Sequence, residues 1–306
     1  MISTYKRKKT TWIDLESPTT DEVKFLMEKY DVHPLVAEEL LRPTLRPKVD
    51  NYQNSAYLIL HFPTLGSDFK KCDSCEVDFI IGKNFLITVH YQAINSLIEL
   101  GKIFEADALL GENNLSKNAG ILFFHIVRNL YELSMKQIDN LQMQIEEIEQ
   151  KMFEKKGSQY NLVRKISHVR RDILDFARTM QPHKEVFSSF EFMAAKFFGP
   201  EFLHYVSNLT GEYYKVWNAM ESNKSTIASL QATNDSLLSN RTNDIMTVLT
   251  IMAFVTFPLM LITSIFGMNT IYLPIVGSKY DFWIIIGIMA MSTIIMFTFF
   301  KRKKWL

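Results

Sequence analysis

The chain has 306 residues, of which 47% are apolar and 22% are charged, and its formal net charge is +1. This length is enough for two soluble domains. Charged residues are frequent up to Asp244 and then almost vanish, which excludes a uniformly soluble chain.

Residues 1–115 alternate between β-rich runs and helical spacing, which predicts a compact α/β domain, an α/β sandwich. Four runs have strand character, and the Gly-Lys-Asn triplet at 82–84 predicts a hairpin turn between the last two. Helices are expected over TTDEVKFLMEKY and HPLVAEELLR, with caps at Thr20 and His33-Pro34. The domain contains no G-x-G-x-x-G, P-loop or nucleophile elbow, so we predict neither an enzyme nor a catalytic cofactor.

The two cysteines, Cys72 and Cys75, form a C-x-x-C pair, which suggests half a zinc site or a redox pair. Zinc takes four ligands, and the sequence offers no second C-x-x-C and no H-x₃-H. A redox pair needs a strand-to-helix setting, whereas this pair lies between two strand-like runs. We therefore predict a turn with two free thiols, and keep metal or redox work as the alternative.

From residue 116 the spacing of apolar residues becomes wholly helical. Residues 116–185 predict an antiparallel helical pair that is broken at Gly157. Residues 186–266 predict a long stalk helix that continues into a membrane span; from about Glu201 to Phe266 it would measure roughly 100 Å. Its lower half is rich in Ser, Asn and Thr, and several copies packed side by side would explain such a helix.

Two charge-free segments are long enough to cross a bilayer, whose core needs about 20 helical residues. Residues 245–278 form a charge-free run of 34 positions, and 282–300 form one of 19. We predict a membrane hairpin with spans at 245–266 and 282–300 and an outer loop at 267–281. Neither span is a signal peptide, because both lie at the wrong end of the chain.

The tail 301–306 sets the predicted orientation in an inner, or cell, membrane. Four basic residues follow the second span directly: Lys301, Arg302, Lys303 and Lys304. The positive-inside rule places them in the cytoplasm, and a hairpin brings the N-terminus to the same side. Such a run also occurs in nuclear-targeting and nucleic-acid-binding segments, but its place beside a span favours the topological interpretation, so no nucleic-acid partner is expected.

A two-helix hairpin encloses no aqueous path, so conduction would require several subunits in a ring; the alternative is a plain membrane anchor. One face of the first span mixes small, hydroxyl and thioether groups with one aromatic: Asn243, Met246, Thr250, Ala253, Phe257, Met260 and Ser264. Helix packing in the membrane favours such a face, and a pore lining is the second interpretation. The bulkier second span suits the lipid-facing side.

Several stretches then support a family resemblance. IFGMN after a proline-containing span, a second span and KRKKWL resemble the CorA magnesium-transporter family, whose signature is Gly-Met-Asn at the outer end of the first span. HPLVAEELLRPTLRPKVDNY, LILHFP, GKNFLITVH and NRTNDIMTVLTI look like its cytoplasmic domain and pore helix. The match covers nearly the whole chain in preserved order.

The resemblance implies a funnel-shaped homopentamer, with partners limited to its own copies, membrane lipid and divalent cations. Gly267, Met268 and Asn269 would form the selectivity filter, with Asn269 contacting the metal through the ion's water shell. Transferred lining positions are Asn243, Met246, Leu249, Thr250, Ala253, Phe257 and Met260. Phe257 stands where the family often has methionine, Phe266 replaces a tyrosine, and YLPIVGSKYD lacks the usual acidic residue after a Met-Pro pair.

The resemblance also implies closure by cytoplasmic Mg²⁺ bound between subunits through carboxylates. Counting back from the triplet, the expected stalk aspartate falls at Asn208, so Glu212, Glu221 and Asp235 are the substitute candidates. The function expected is passive, potential-driven influx of Mg²⁺, with Co²⁺ and Ni²⁺ as further ions. The alternatives are a related zinc transporter and a membrane-anchored sensor or scaffold without transport.

Overall fold

A computed structural model describes residues 2–7, 10–65, 72–110, 118–153, 159–270, 273–277 and 279–303. The chain divides into two compact units, Met1–Gln231 and Ala232–Leu306. The predicted α/β domain and helical pair both fall within the first unit. The domain boundaries given above remain predictions.

The first unit contains a six-stranded sheet in the order β1-β2-β6-β5-β4-β3. Its strands are β1 Ile2–Arg7, β2 Thr10–Glu16, β3 Lys48–Asn51, β4 Ser55–Leu65, β5 Cys72–Gly82 and β6 Phe85–His90. Neighbours are antiparallel except β2 and β6, which are parallel. The hairpin predicted at 82–84 is confirmed, because Ile81 pairs with Leu86 across β5 and β6.

Helices cover both faces of this sheet, which confirms the α/β sandwich. On one side, α1 (Thr20–Tyr30) and α2 (Pro34–Glu39) pack Leu26 and Val36 onto sheet residues such as Ile13 and Ile87. On the other side, aromatic rings continue from the sheet into the helices. Phe79 meets Phe123 edge to face, with centroids 5.1 Å apart, and Phe123 meets Phe190 at 5.2 Å. Edge-to-face packing is a favoured aromatic geometry.

The cap expected at Thr20 is wrong by one residue. Thr19 caps α1, because its side chain accepts a hydrogen bond from the Glu22 amide while the Glu22 carboxylate accepts from the Thr19 amide at 2.9 Å. This reciprocal pair requires the acidic residue three positions after the cap, and only Thr19 has that spacing. The predicted cap at His33 is confirmed, since its Nδ1 accepts from the Leu35 amide at 3.2 Å.

The rest of the chain is helical in its described parts. The elements are α3 Asn95–Leu110, α4 Ala119–Phe153, α5 Gln159–Met180, α6 His183–Phe198, a short 3₁₀ turn Pro200–Phe202, α7 Leu203–Phe266 and α8 Asp281–Arg302. Helix α6 is separate from the stalk, because Gly199 at φ 88° turns the backbone before Pro200. The predicted boundary at residue 186 therefore falls inside α6, and the stalk helix begins at Leu203.

Helices α4 and α5 form the predicted pair, and charges join their adjoining ends. Lys165, near the start of α5, lies 3.0 Å from Glu147, near the end of α4, so the two helices run antiparallel. Arg170 of α5 donates to Gln231 of α7 at 3.0 Å, and Asn223 of α7 donates to the Ile138 carbonyl at 3.3 Å. The predicted break at Gly157 lies outside the described residues.

The turn expected around the cysteines is also corrected. Cys72 and Cys75 both belong to strand β5, whose pairing with β4 extends to Leu65 and Cys72. The backbone pairing of β4 with β5 continues through Phe62 with Cys75, Pro63 with Ser74 and Leu65 with Cys72, which sequence alone did not separate from a turn. Burial, with a contribution from Glu76, raises the pKa of the Cys75 thiol to about 11. That thiol is therefore neutral, which leaves it a poor nucleophile and a poor metal ligand.

A buried histidine joins three layers of the first unit. The His183 side chain of α6 is 0% exposed. Its Nε2 donates to the His61 carbonyl of β4 at 2.8 Å, and its Nδ1 accepts from the Tyr131 hydroxyl of α4 at 2.7 Å. A carbonyl can only accept, so the contact fixes the neutral Nε2–H tautomer. Burial is the main cause that lowers the pKa of His183 to about 4.

This contact predicts that the first unit loses stability in acid. Between the ordinary pKa of 6.5 and about 4, the unfolded chain binds a proton at His183 that the folded chain does not. The free energy of unfolding therefore falls as the pH is lowered through that window, by about 3 kcal/mol at most. Unfolding of the full-length protein in detergent, followed by urea titration at several pH values, measures the slope.

A glutamine at position 183 retains one donor and one acceptor but does not titrate, so His183→Gln should flatten this slope. His204→Gln, at an exposed position of α7, is the matched control and should keep the wild-type slope. An unchanged slope in His183→Gln would contradict the assignment.

Candidate ion pathway

The Gly-Met-Asn triplet follows directly after Phe266, the last residue of α7. The Gly267 amide donates to the Thr263 carbonyl at 2.9 Å, and the Met268 amide donates to the Ile265 carbonyl at 3.3 Å, which tightens the last turn. A Cβ added at Gly267 would lie 3.0 Å from the Thr263 carbonyl oxygen. Glycine is therefore the residue that allows this close approach of backbone to backbone.

Asn269 follows this turn with an exposed side chain, and Met268 beside it is 56% exposed. The Thr270 amide donates to the Met268 carbonyl at 3.1 Å, which curls the backbone around Asn269. An asparagine amide offers a neutral oxygen that accepts hydrogen bonds. Water held by a divalent cation supplies strong donors, so the position suits contact with a hydrated ion.

The predicted lining residues lie on an exposed face of α7. Asn243, Met246, Leu249, Thr250, Ala253, Phe257 and Met260 are all exposed. The face turned toward α8 is a different one: Ile251 is 6% exposed, and Val255, Pro258 and Ile262, at helical spacing from it, are partly buried. This seam was not identified from sequence, although its spacing from 251 to 262 is helical. Its position leaves the predicted lining row free of α8 within the second unit.

Two threonine hydroxyls near the start of the first span, at residues 247 and 250, keep oxygen lone pairs available as hydrogen-bond acceptors. Thr250 donates its hydroxyl proton to the Met246 carbonyl at 2.7 Å, and Thr247 donates to the Asn243 carbonyl at 2.9 Å. A hydroxyl has one proton and two lone pairs, so these bonds leave its lone pairs available. Thr250 therefore offers the same neutral acceptor chemistry as Asn269.

Pro258 lies inside α7 without ending it. A proline has no amide proton, so the bond that would reach the Phe254 carbonyl is missing. Threonines on both sides donate to carbonyls three residues back: Thr256 to Ala253 at 3.2 Å and Thr263 to Met260 at 2.9 Å. These bonds tie the threonine hydroxyls to their own helix on either side of the proline, so the helix continues through it.

The outer loop has a single carboxylate, Asp281, and the backbone engages it. Its Oδ1 accepts from the Phe282 amide at 2.7 Å and its Oδ2 accepts from the Gly277 amide at 3.3 Å. A carboxylate at this place stabilises the start of α8, since the first amides of a helix have no partner within it. Asp281 therefore holds the loop against α8, which reduces its capacity to attract cations.

Basic residues stand at the other end of α8. Lys301 and Arg302 close the helix and Lys303 follows it, all with exposed side chains, whereas Lys304 lies outside the described residues. The length and apolarity of α8 and of the lower part of α7 are those of membrane spans.

The candidate regulatory acids lie apart along the stalk helix. Glu212 bridges to Lys215 at 2.8 Å and Glu221 bridges to Lys224 at 2.9 Å, both one turn away on the same helix. Asp235 is exposed, and no ion pair among the described residues uses its carboxylate. Within a single chain, the described residues bring together no three metal-ligating side chains.

These features define a two-span membrane protein with a large α/β domain and a long helix that ends in Gly-Met-Asn. Residues 7–302 match the family described as CorA-like Mg²⁺ transporter protein. The chain belongs to this family, and it is a metal-ion transporter rather than an enzyme.

Known relatives agree with this membership. The chain is 26% identical over 301 residues to the cobalt/magnesium transport protein CorA of Thermotoga maritima, which covers 97% of this chain and 83% of the relative. Its fold is similar to the structure of the CorA magnesium transporter from Methanocaldococcus jannaschii, with a TM-score of 0.85 at 21% identity over 99% and 93% of the two chains. The ZntB cytoplasmic domain from Vibrio parahaemolyticus has a TM-score of 0.61 at 13% identity over 77% and 89%.

The contact at Gly267 predicts that Gly267→Ala slows ion uptake. Its methyl group would press on the Thr263 carbonyl, so the turn must open and Asn269 must move. A strain of about 1 kcal/mol would lower the rate by about fivefold. Uptake into liposomes that contain the purified protein measures this effect. Gly287→Ala is the control, because an added Cβ in α8 meets nothing within 4 Å; equal rates for both variants would contradict the prediction.

Proposed function

We propose that the protein is a homopentameric channel for passive influx of hydrated Mg²⁺, with Co²⁺ and Ni²⁺ as further ions. The observation that carries this proposal is the exposed row from Asn243 to Met260, which lies away from the covered side of α7 at Ile251 and leads toward the Gly-Met-Asn turn. Five copies that turn this row inward would enclose a path that one hairpin cannot enclose. The names of the Thermotoga and Methanocaldococcus relatives support Mg²⁺ and Co²⁺ as the ions.

Neutral oxygen acceptors suit an ion that keeps its water. Mg²⁺ prefers six oxygens in octahedral geometry and dehydrates reluctantly, so a site that strips its shell is costly. Rings of Asn269 and Thr250 oxygens accept hydrogen bonds from first-shell water and hold the ion without trapping it. Between these rings, the apolar side chains of Ala253, Phe257 and Met260 form the constriction, and Met246 extends it on the cytoplasmic side of Thr250.

The membrane potential alone can drive this influx. A divalent cation that moves inward gains about 4.6 kcal/mol per 100 mV of inside-negative potential. The basic residues Lys301, Arg302 and Lys303 at the end of α8 support a cytoplasmic C-terminus by the positive-inside rule, and two spans would bring the N-terminal unit to the same side. With this orientation in an inner membrane, Asn269 stands at the outer mouth.

Asn269→Ala should reduce Mg²⁺ uptake into potential-clamped liposomes by about tenfold, since losing a ring of acceptors worth ~1.4 kcal/mol changes the rate by that factor. Asn161→Ala, at an exposed position of α5, is the control for loss of an asparagine and should transport normally.

The same vesicles separate the candidate functions. Uptake of Zn²⁺ in preference to Mg²⁺ would favour the related zinc transporter. Absence of uptake in the wild-type protein, with assembly intact, would favour an anchored sensor or scaffold.

We further propose that cytoplasmic Mg²⁺ closes the channel by bridging carboxylates of neighbouring stalk helices. Asp235 is the first candidate, because Glu212 and Glu221 are already bridged to lysines on their own helix. Such exposed bridges are weak, so Mg²⁺ can displace the lysines, but at a higher concentration than at a free carboxylate.

This order predicts that Asp235→Asn raises the cytoplasmic Mg²⁺ concentration for half-maximal closure by about fivefold, and more than Glu212→Gln or Glu221→Gln does. Currents through reconstituted channels at graded internal Mg²⁺ give the closure curve. Glu191→Gln, at an exposed position of α6, should leave the curve in place. A curve that none of the three stalk variants moves would rule out these ligands.

A further inference from the structure

The outward faces of α4 and α5 carry opposite charges. Helix α4 buries residues such as Leu141 and Ile145, which leaves Asp139 and Glu146 exposed on its other side. Helix α5 buries residues such as Ile166, Val169 and Ile173, which leaves Arg164, His168 and Arg171 exposed. No ion pair among the described residues uses Asp139, Glu146, Arg164 or Arg171.

The charges on the two helices have the same spacing. Asp139 and Glu146 are seven residues apart, as are Arg164 and Arg171, so each pair spans about 10.5 Å along its helix. Seven residues are close to two helical turns, which keeps both members of each pair on one face. Two antiparallel helices with this spacing can form both ion pairs at once.

An exposed apolar side chain lies between the two acidic residues of α4, and a groove lies between the two arginines of α5. Met143 on α4 stands between Asp139 and Glu146 and is 58% exposed. On α5, Ser167 stands between Arg164 and Arg171, where a groove of about 280 Å³ is lined by Val163, Arg164, Ser167, His168 and Arg171. A large apolar side chain opposite a small residue, flanked by charges, resembles the core and rim of a protein interface.

The height of these groups along the hairpin matches as well. The bridge between Lys165 and Glu147 sets the register of α4 and α5 within one chain. That register measures how far apart in height two residues lie along the hairpin axis. The height difference is the same, about two residues or roughly 3 Å, for three pairs: Arg164 with Glu146, Ser167 with Met143, and Arg171 with Asp139. Long arginine side chains span this offset.

We propose that the basic face of α5 in one subunit docks on the acidic face of α4 in the next copy of this chain. The contact is heterologous, so each subunit uses both faces and a ring closes without a free edge. If the symmetry axis of the ring is parallel to the hairpin, each residue lies at the same level along that axis in every subunit. Docking then brings together Arg164 and Glu146, Ser167 and Met143, and Arg171 and Asp139. This inference rests on the proposed homopentamer and adds a lateral contact between its helical hairpins.

The carboxylate of Asp172, on α5 itself, does not take the place of the acidic face of α4 from the neighbouring copy. Its carboxyl is mostly buried at the base of the basic face, and burial raises its pKa while the charges of His168 and Arg171 lower it. Asp172 therefore interacts electrostatically with the buried side of the basic face, whereas the exposed guanidinium groups of Arg164 and Arg171 extend into solvent. A neighbouring copy supplies carboxylates at the required positions.

Disulfide trapping tests the register directly. The full-length protein with Asp139→Cys and Arg171→Cys, oxidised mildly in lipid nanodiscs, should give a ladder of covalent oligomers up to the pentamer. Each single substitution is the blank for the native cysteines. Asp139→Cys with Arg178→Cys is the matched control: it shifts the register by one heptad, about 10.5 Å, which a disulfide cannot span.

Charge reversal tests the energetics. Arg164→Glu with Arg171→Glu, or Asp139→Arg with Glu146→Arg, should lower the temperature at which the detergent-solubilised oligomer dissociates. Combining all four substitutions should restore it, because complementarity returns with exchanged signs. A combination whose loss is the sum of the two separate losses would overturn the proposed contact.

The mass of the untreated particle, from light scattering, separates this inference from the proposed function. A pentamer that gives no ladder with the first cysteine pair overturns the hairpin contact and leaves the channel intact. A particle that is not a ring of copies overturns both. Uptake that is insensitive to Asn269→Ala, with a ladder present, overturns the channel and leaves the contact.

Discussion

The apolar side chains of the first span (residues 245–266 of α7) and of α8 stay largely exposed within one chain, because the two spans bury only a narrow seam around Ile251 and Phe300. Lipid can cover such a surface, but no lipid contact creates an aqueous path for a divalent cation. The proposed channel therefore depends on other copies to enclose its pathway. In that proposal, the face of α7 opposite the seam is the surface that the copies would share.

The chemistry along that face follows from the same constraint. A charged side chain within a membrane span is costly, so a path through the bilayer is better lined by neutral groups. Threonine hydroxyls whose protons bind their own helix, and an asparagine amide at the outer turn, provide oxygen lone pairs without net charge. Gly267 makes the turn possible, and Asp281 holds the loop beyond it.

The layers of the first unit are joined by buried contacts. His183 joins β4, α4 and α6 through two hydrogen bonds, and the aromatic rings of Phe79, Phe123 and Phe190 continue the contact. A shift of one helix would break several of these contacts at once. The hairpin of α4 and α5 projects charged faces from this rigid base, where contact with a neighbouring subunit would couple the copies.

The sequence by itself determined the broad architecture. The distribution of charge located both spans, alternation located most strands, and the Gly-Met-Asn triplet with its flanking stretches identified the family. Local spacing carries these signals, because span length and strand alternation are properties of consecutive residues. Finer features differed from the expectation: Thr19 rather than Thr20 caps α1, and the cysteines lie in a strand rather than a turn.

Only the tertiary structure decided which groups meet. The seam of α7 against α8 and the contact of His183 with the His61 carbonyl join residues that are separated in sequence. A helical periodicity gives every helix several candidate faces, and only packing selects the one that is covered. The sequence thus determined the elements and the chemistry of the triplet, whereas the packed chain decided which surfaces are left for ions and for other copies.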